Sequence, residues 1–301
     1  MNRGYGDEGD FMRAKTSDKI FEIFIVIMVS LAVILCVIPI LHVAAVSLSS
    51  NNAIISQQVR LLPVELTFRS YNFVINDKTM VRSLLFTIVL TVLYTLISMF
   101  MTVCAGYALT KKRLKGRNFF LLVIVITMYF GGGMIPNYLL IKNLKLINSI
   151  WSLILPGMLS TYNMIILKTF FTNMPDSIEE SAYLDGCSDI GILAKIVLPL
   201  STPVLATLSL FYAVGRWNGF SDALMYITKP QLYPLQLKLY QIIYNSMDLQ
   251  ILQNEGTTAI QVLPESIKSS CIIFATIPIL LVYPWLQKYF VSGVMIGAIK
   301  G

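Results

Sequence analysis

Apolar runs of about twenty residues, the length at which an α-helix crosses the hydrocarbon of a bilayer, recur along this chain and decide its class. They open near Ile20, Leu84, Phe119, Trp151, Ile196 and Ile267. Composition agrees: 56% of the 301 residues are hydrophobic and 13% charged, where a soluble domain has roughly 45–50% and 25%. The expected fold is an all-α polytopic membrane protein with six transmembrane helices.

Taken in order, residues 1–19 are a polar segment and residues 20–301 form one transmembrane domain. The first run, Ile20 to about Val46, is too long for the apolar core of a signal peptide, roughly 7–15 residues, so it reads as an uncleaved span. Pro39 can kink it, and His42 lies near its outer end. A polar connection over 47–82 leads to a second span, Leu84–Leu109. A compact basic hairpin follows with Lys111, Lys112, Arg113, Lys115 and Arg117. The third span begins at Phe119 and is interrupted by Gly131-Gly132-Gly133 and Pro136. Breaks at membrane depth persist only beside protein or a water-filled cavity, which suggests the substrate route or the outer mouth. The fourth span covers Trp151–Phe171. The fifth starts near Ile196 and ends at Arg216-Trp217-Asn218, and an external loop over 229–266 precedes the sixth, Ile267–Tyr289.

The net charge of +7 speaks to topology and anionic lipid before nucleic acid. Basic residues divide almost evenly between the two faces. Those in short segments near span ends, at the amino terminus and in the hairpin, place both segments in the cytosol. Six spans then return the carboxyl terminus to the same side. The cysteines (Cys36, Cys104, Cys187, Cys271) form no C-x-x-C pair, so neither a disulfide nor a metal site is assigned. No G-x-x-x-x-G-K-[ST] sequence occurs to cradle ATP. His42 is the single histidine, and a lone interfacial histidine is ordinarily just hydrogen-bonded. No catalytic residue is assigned.

One polar stretch stands apart, residues 176–199 between the fourth and fifth spans. It reads as helix, sharp turn, second helix. Asp176 is expected to cap the first helix, with Glu179 closing a capping box. Gly186 supplies a turn at positive φ, and Ser188 or Asp189 caps the second helix. Pro199 sits where the next apolar segment opens. The spacing Glu180-x-Ala182-x3-Gly186-x9-Ile196-x-Leu198-Pro199 resembles the EAA loop of binding-protein-dependent ABC importer permeases, with Ser181 where that family usually has its first Ala. The rest of the chain is similar to the six-span permease subunits of carbohydrate importers, the maltose type included. Its Met128-Tyr129-Phe130-Gly131-Gly132-Gly133-Met134-Ile135-Pro136-Asn137 stretch resembles permeases for acidic or complex oligosaccharides, including the alginate and pectin-fragment type.

That resemblance implies a type I ABC importer permease fold with a cytosolic coupling helix, located in the bacterial cytoplasmic membrane. It implies alternating access, a second permease subunit (a heterodimer), two ATPase subunits that carry the ATP and Mg, and an external solute-binding protein. The chain itself binds no cofactor and is not an enzyme. The residues matching the ATPase-coupling motif are Glu179, Glu180, Ser181, Ala182, Asp185, Gly186, Ile196, Leu198 and Pro199, and Lys300 and Gly301 match a tail that reaches the ATPase interface. Sugars offer apolar ring faces and many hydroxyls, so aromatic platforms beside amides suit them; Tyr94, Tyr129, Trp217 and Asn218 are the candidates. Arg216 is a candidate counter-charge for an acidic sugar, although a position near a span end ordinarily means snorkelling to headgroups. The same architecture could import another solute, such as a polyamine or an amino acid.

Overall fold

The computed structural model describes residues 16–254 and 265–298. Lys300 and Gly301 lie outside the described residues, as do residues 255–264 of the 229–266 segment, whose residues 235–254 are helical rather than loop. The described chain is helical and separates into two compact units.

The first unit comprises residues 16–71 with 265–270. It holds α1 (Thr16–Ser47), whose apolar part from Phe21 is exposed along most of its length, as a lipid-facing helix requires. The short α2 (Asn51–Ile55) follows, capped by the Ser50 hydroxyl, which accepts from the Ala53 N–H at 3.2 Å. Ala45, Val46, Ala53 and Val59 make a small core there. His42 Nδ1 lies 2.6 Å from the Arg60 carbonyl oxygen, the ordinary hydrogen-bonded role expected of it. Helix α3 (Arg69–Asn76) then leads into the second unit.

The second unit is organised around α4 (Lys78–Ala108), started by Asp77, whose carboxylate accepts from Thr79 N–H at 2.8 Å. At 31 residues it is about 46 Å long, more than a bilayer core. Its buried positions are less often aliphatic (Met80 and Leu90) than small or hydroxylated (Ser83, Thr87, Ser98, Thr102 and Gly106). Such residues let helices approach closely where lipid offers no hydrophobic drive to association. The remaining helices are α5 (Arg117–Tyr129), α6 (Met134–Asn143), α7 (Trp151–Ile154), α8 (Thr161–Thr172), α9 (Asp176–Leu184), α10 (Asp189–Ile192), α11 (Leu198–Leu200), α12 (Thr202–Asn218), α13 (Ser221–Tyr226), α14 (Leu235–Asn254) and α15 (Glu265–Ala298). Residues 271–298 of α15 belong to the second unit. Helices α8 and α12 pack on α4.

Among the described residues, three helices are long and apolar enough to span alone: α1, α4 and the Glu265–Pro284 part of α15. Three further candidate crossings among the described residues are bent pairs. Helices α5 and α6 turn by 117°, α7 and α8 by 51°, and the Asp189–Leu200 segment meets α12 at 84°. Each bent pair counted as one crossing gives six. The first break falls at Gly131–Gly133, as expected, with Gly133 at φ +84°. The fifth crossing differs from expectation. Pro199 lies inside α11, and the chain turns only at Ser201, so membrane-directed helix starts at Thr202 rather than near Ile196.

Candidate functional site

The polar loop rests on a buried cluster at the Ala108 end of α4. Tyr107, Leu167, Phe171, Val204 and Leu208 from α4, α8 and α12 meet Ala182, Ile192 and Val197 from the loop. Within the motif, Ala182 points inward and is almost fully buried, while Ile196 and Cys187 are partly covered. Glu180, Ser181, Asp185 and Gly186 are exposed, together with Leu184 at 89% and Ile190 at 79%. One face of α9 is therefore anchored and the other is presented.

Helix α9 ends in a Schellman motif. The Gly186 N–H donates to Tyr183 O at 3.0 Å and the Cys187 N–H to Ala182 O at 3.0 Å. Gly186 has φ +78°, the left-handed conformation that a Cβ disfavours, and a Cβ built there meets nothing within 4 Å. Ser188 then caps α10 by accepting from Gly191 N–H at 3.2 Å. These features match the expected turn. The expected capping box does not form: α9 begins at Asp176 itself, after Pro175, with no side-chain cap. Pro175 cannot act as a side-chain acceptor, and the carboxylates of Asp176 and Glu179 are taken elsewhere.

They are taken by the basic hairpin. Lys111 Nζ sits 2.5 Å from Glu179 Oε2 and Lys112 Nζ 3.2 Å from Asp176 Oδ2. Arg113 pairs with Asp189, which also accepts a hydrogen bond from the Tyr183 hydroxyl. Lys111 lies over the Tyr107 ring, 4.0 Å from its centroid. Hydrogen bonds from Tyr183 and then Arg113 hold the Asp189 carboxyl below its usual range. Partial burial pulls the Lys111 ammonium down, but its hydrogen bonds to Glu179 and Tyr107 outweigh that and leave it above its ordinary value. The hairpin entered the sequence reading only as a topology signal; its role as partner to the loop was missed.

A second polar site is an open pocket on this unit. Tyr94 on α4, Ser160, Tyr162 and Asn163 at the start of α8, and Phe211, Tyr212, Gly215 and Arg216 on α12 line a cavity of about 470 Å³. Tyr212 Oη lies 2.7 Å from Thr102 Oγ1 and accepts from Ser160 N–H at 3.0 Å. The Tyr94 hydroxyl donates to Gly157 O at 2.6 Å, and its ring meets that of Tyr212 edge-on.

Arg216 does not snorkel. It is 7% exposed, with Nη1 donating to Leu153 O at 3.0 Å and Nη2 to Gly219 O at 3.2 Å. Asp222 takes both Nη groups. The Nε–H is buried with no partner among the described residues. Of the candidate sugar contacts, Tyr94 and Arg216 come together. Tyr129 is 75% exposed, and neither it, Trp217 nor Asn218 lines the cavity; the Asn218 amide instead donates to Val214 O. Tyr212, Ser160 and Asn163 were missed. A larger open groove of about 800 Å³ at the Lys78 end of α4 is walled mostly by aliphatic and aromatic side chains, which suits sugar hydroxyls less well.

Comparison with known proteins gives a consistent result. Residues 103–296 match the family described as the binding-protein-dependent transport system inner membrane component. A polygalacturonan/rhamnogalacturonan transport system permease protein of Bacillus subtilis, YtcP, is 40% identical over 94% of this chain and 99% of its own. An arabinooligosaccharides transport system permease protein of the same organism, AraQ, is 27% identical over 79% of this chain and 81% of its own. Among solved structures, a chain of a bacterial ABC transporter involved in the import of the acidic polysaccharide alginate superposes with a TM-score of 0.83. It is 32% identical and covers 92% of this chain and 98% of its own.

Proposed function

The chain belongs to the family of binding-protein-dependent transport system inner membrane components, and from that premise we propose that it is one permease half of an ATP-driven importer for an oligosaccharide. The observation that carries this reading is the presented face of the 176–199 loop. Leu184 and Ile190 are large aliphatic side chains left open at 89% and 79%, beside exposed Glu180 and Asp185 and around a glycine with open space. An apolar pair rimmed by charge is the anatomy of a docking patch, and a cytosolic ATPase subunit is the partner that a transport cycle requires. ATP and Mg reside on that subunit, and this chain contributes no catalytic group.

The relatives' names point to sugars rather than to polyamines or amino acids, and to polyuronates in particular. The Tyr94–Tyr212 pocket suits that class, with ring faces to stack on and Ser160 and Asn163 as hydrogen-bonding groups. The α5–α6 break supports a second permease subunit beside it. Residues 126–140 are all exposed in the isolated chain, and non-helical backbone at membrane depth needs protein or an aqueous cavity beside it. An external solute-binding protein delivers the sugar, and both termini face the cytosol.

The test is reconstitution of the chain with its partner permease, ATPase and binding protein in proteoliposomes, using a ligand chosen by thermal-shift screening of the binding protein. Uptake of a uronate oligosaccharide driven by ATP supports the reading. A binding protein stabilised only by a polyamine or an amino acid would overturn the substrate class.

A further inference from the structure

The carboxylates of the coupling loop divide into two sets. Asp176, Glu179 and Asp189 are occupied by Lys112, Lys111 and Arg113, whereas Glu180 and Asp185 stay exposed. The three cations are consecutive in sequence and reach acids 64 to 76 residues away, on two different helices. A solvated run of charge would not sort itself residue by residue against the acids of one loop.

The three contacts differ in strength. Lys112 and Asp176 are 84% and 76% exposed, and such pairs contribute little. Lys111 and Glu179 are 15% and 31% exposed, and Lys111 is also held over the Tyr107 ring. Arg113 touches both Asp189 and the Tyr183 hydroxyl, bridging the end of α9 to the start of α10. The hairpin that carries these groups is itself stiff. Thr110 Oγ1 donates to Tyr107 O at 2.7 Å, Lys111 N–H to Ala108 O at 3.3 Å and Leu114 N–H to Lys111 O at 3.1 Å.

Above the hairpin, α4 runs unbroken to Tyr94, about 20 Å away at 1.5 Å per residue. We propose that Lys111, with Arg113, is a positioning clasp that fastens the coupling loop to α4, so that a displacement of the loop reaches the Tyr94–Tyr212 cavity directly along that helix. The apolar cluster beneath the loop touches α8 and α12 as well. The clasp adds a polar link at the Ala108 end of α4, which with α8 and α12 passes from the cluster under the loop to the cavity.

The proposal rests on the reading of 176–199 as the ATPase-docking loop, and the test keeps the two separable. The complete transporter is purified and reconstituted with Lys111→Glu, Lys111→Arg and the exchange Lys111→Glu with Glu179→Lys. Copurification of the ATPase subunits with the unaltered chain reports on docking; their absence there would overturn the docking reading itself. With docking intact, Lys111→Glu is expected to keep ATP hydrolysis while uptake falls about tenfold, and the exchange is expected to recover uptake to within about threefold, since coupled residues are non-additive. Lys111→Arg should transport normally. If Lys111→Glu instead sheds the ATPases, the exchange must restore them. Unchanged uptake in Lys111→Glu, or an exchange no better than the single variant in uptake or assembly, would overturn the clasp.

Discussion

Arg216 at the end of α12 and Asp222 at the start of α13 meet in a two-point ion pair, Nη1 to Oδ2 at 2.5 Å and Nη2 to Oδ1 at 2.9 Å. The guanidinium is thus neutralised before any substrate arrives. It also ties α12 to the Leu153 carbonyl near the end of α7. Both Nη groups are taken and the Nε–H is buried, so in this state the arginine shapes the pocket wall rather than offering a sugar a free positive charge.

Removing the carboxylate strands the cation in the interior. Asp222→Asn should lower stability by about 3–5 kcal/mol, the cost of an unpaired buried charge. Arg216→Gln combined with Asp222→Asn should recover much of that loss. Thermal unfolding of the purified permease pair checks both, and an Asp222→Asn protein as stable as the parent would contradict the pairing.

Gly157 permits the close approach of Tyr94. A Cβ there would lie 2.8 Å from the Tyr94 hydroxyl oxygen, so Gly157→Ala must displace that hydroxyl from its hydrogen bond. The expected outcome is weaker uptake by about two- to tenfold, the value of one hydrogen bond, with normal assembly. Tyr94→Phe should move in the same direction. Full uptake in both variants would remove Tyr94 from the substrate route.

The clasp residues set a pH expectation. Asp189 is held below its usual value, so its contribution is present above the unfolded value, about 4, and is lost only as pH falls through the lowered folded value. Lys111 is held above its usual value, so its contribution is complete below about 10.4 and is lost only as pH rises through the raised one. Coupling, measured as sugar transported per ATP hydrolysed, should be flat from about pH 6 to 8 while declining with added salt, which screens exposed pairs. A step in that ratio near neutrality would point to another titrating group.

Topology has its own check. In a cysteine-free background, single cysteines at Asn118 and Asn254 should react with an impermeant reagent from opposite faces of the membrane. Labelling of both from outside would contradict the six-crossing arrangement.

Much of this was legible in the sequence because it is local. Spans are visible as runs, the α5–α6 break as Gly131–Gly133, and the α9 turn as Gly186, since each depends on the chain's own backbone. What escaped was long-range. Nothing near Glu179 announces Lys111, so a capping box looked sufficient for its carboxylate, although Pro175 offers no capping group. Arg216 lies beside an apolar run, and only the fold of the 219–222 turn brings Asp222 back to it. Tyr129 and Trp217 have side chains suited to sugar, but residue type does not fix which wall a side chain faces. Tyr212 went unnoticed within the apolar run of α12, where its hydroxyl joins Thr102 to Ser160.

Gly186→Val tests the coupling assignment most directly. Because a Cβ there meets nothing beyond its chain neighbours within 4 Å, the main cost of the substitution to the isolated permease is the backbone strain of positive φ, about 1–2 kcal/mol for an L residue. Any larger effect must arise from what docks on the loop. The measurement is the ATPase content of the purified complex, read against the partner permease as an internal standard. The account predicts that Gly186→Val inserts and keeps its permease partner but loses the ATPase subunits, and with them uptake. A complex with its full ATPase complement and unchanged uptake would contradict it and leave residues 176–199 as a polar connector between two spans.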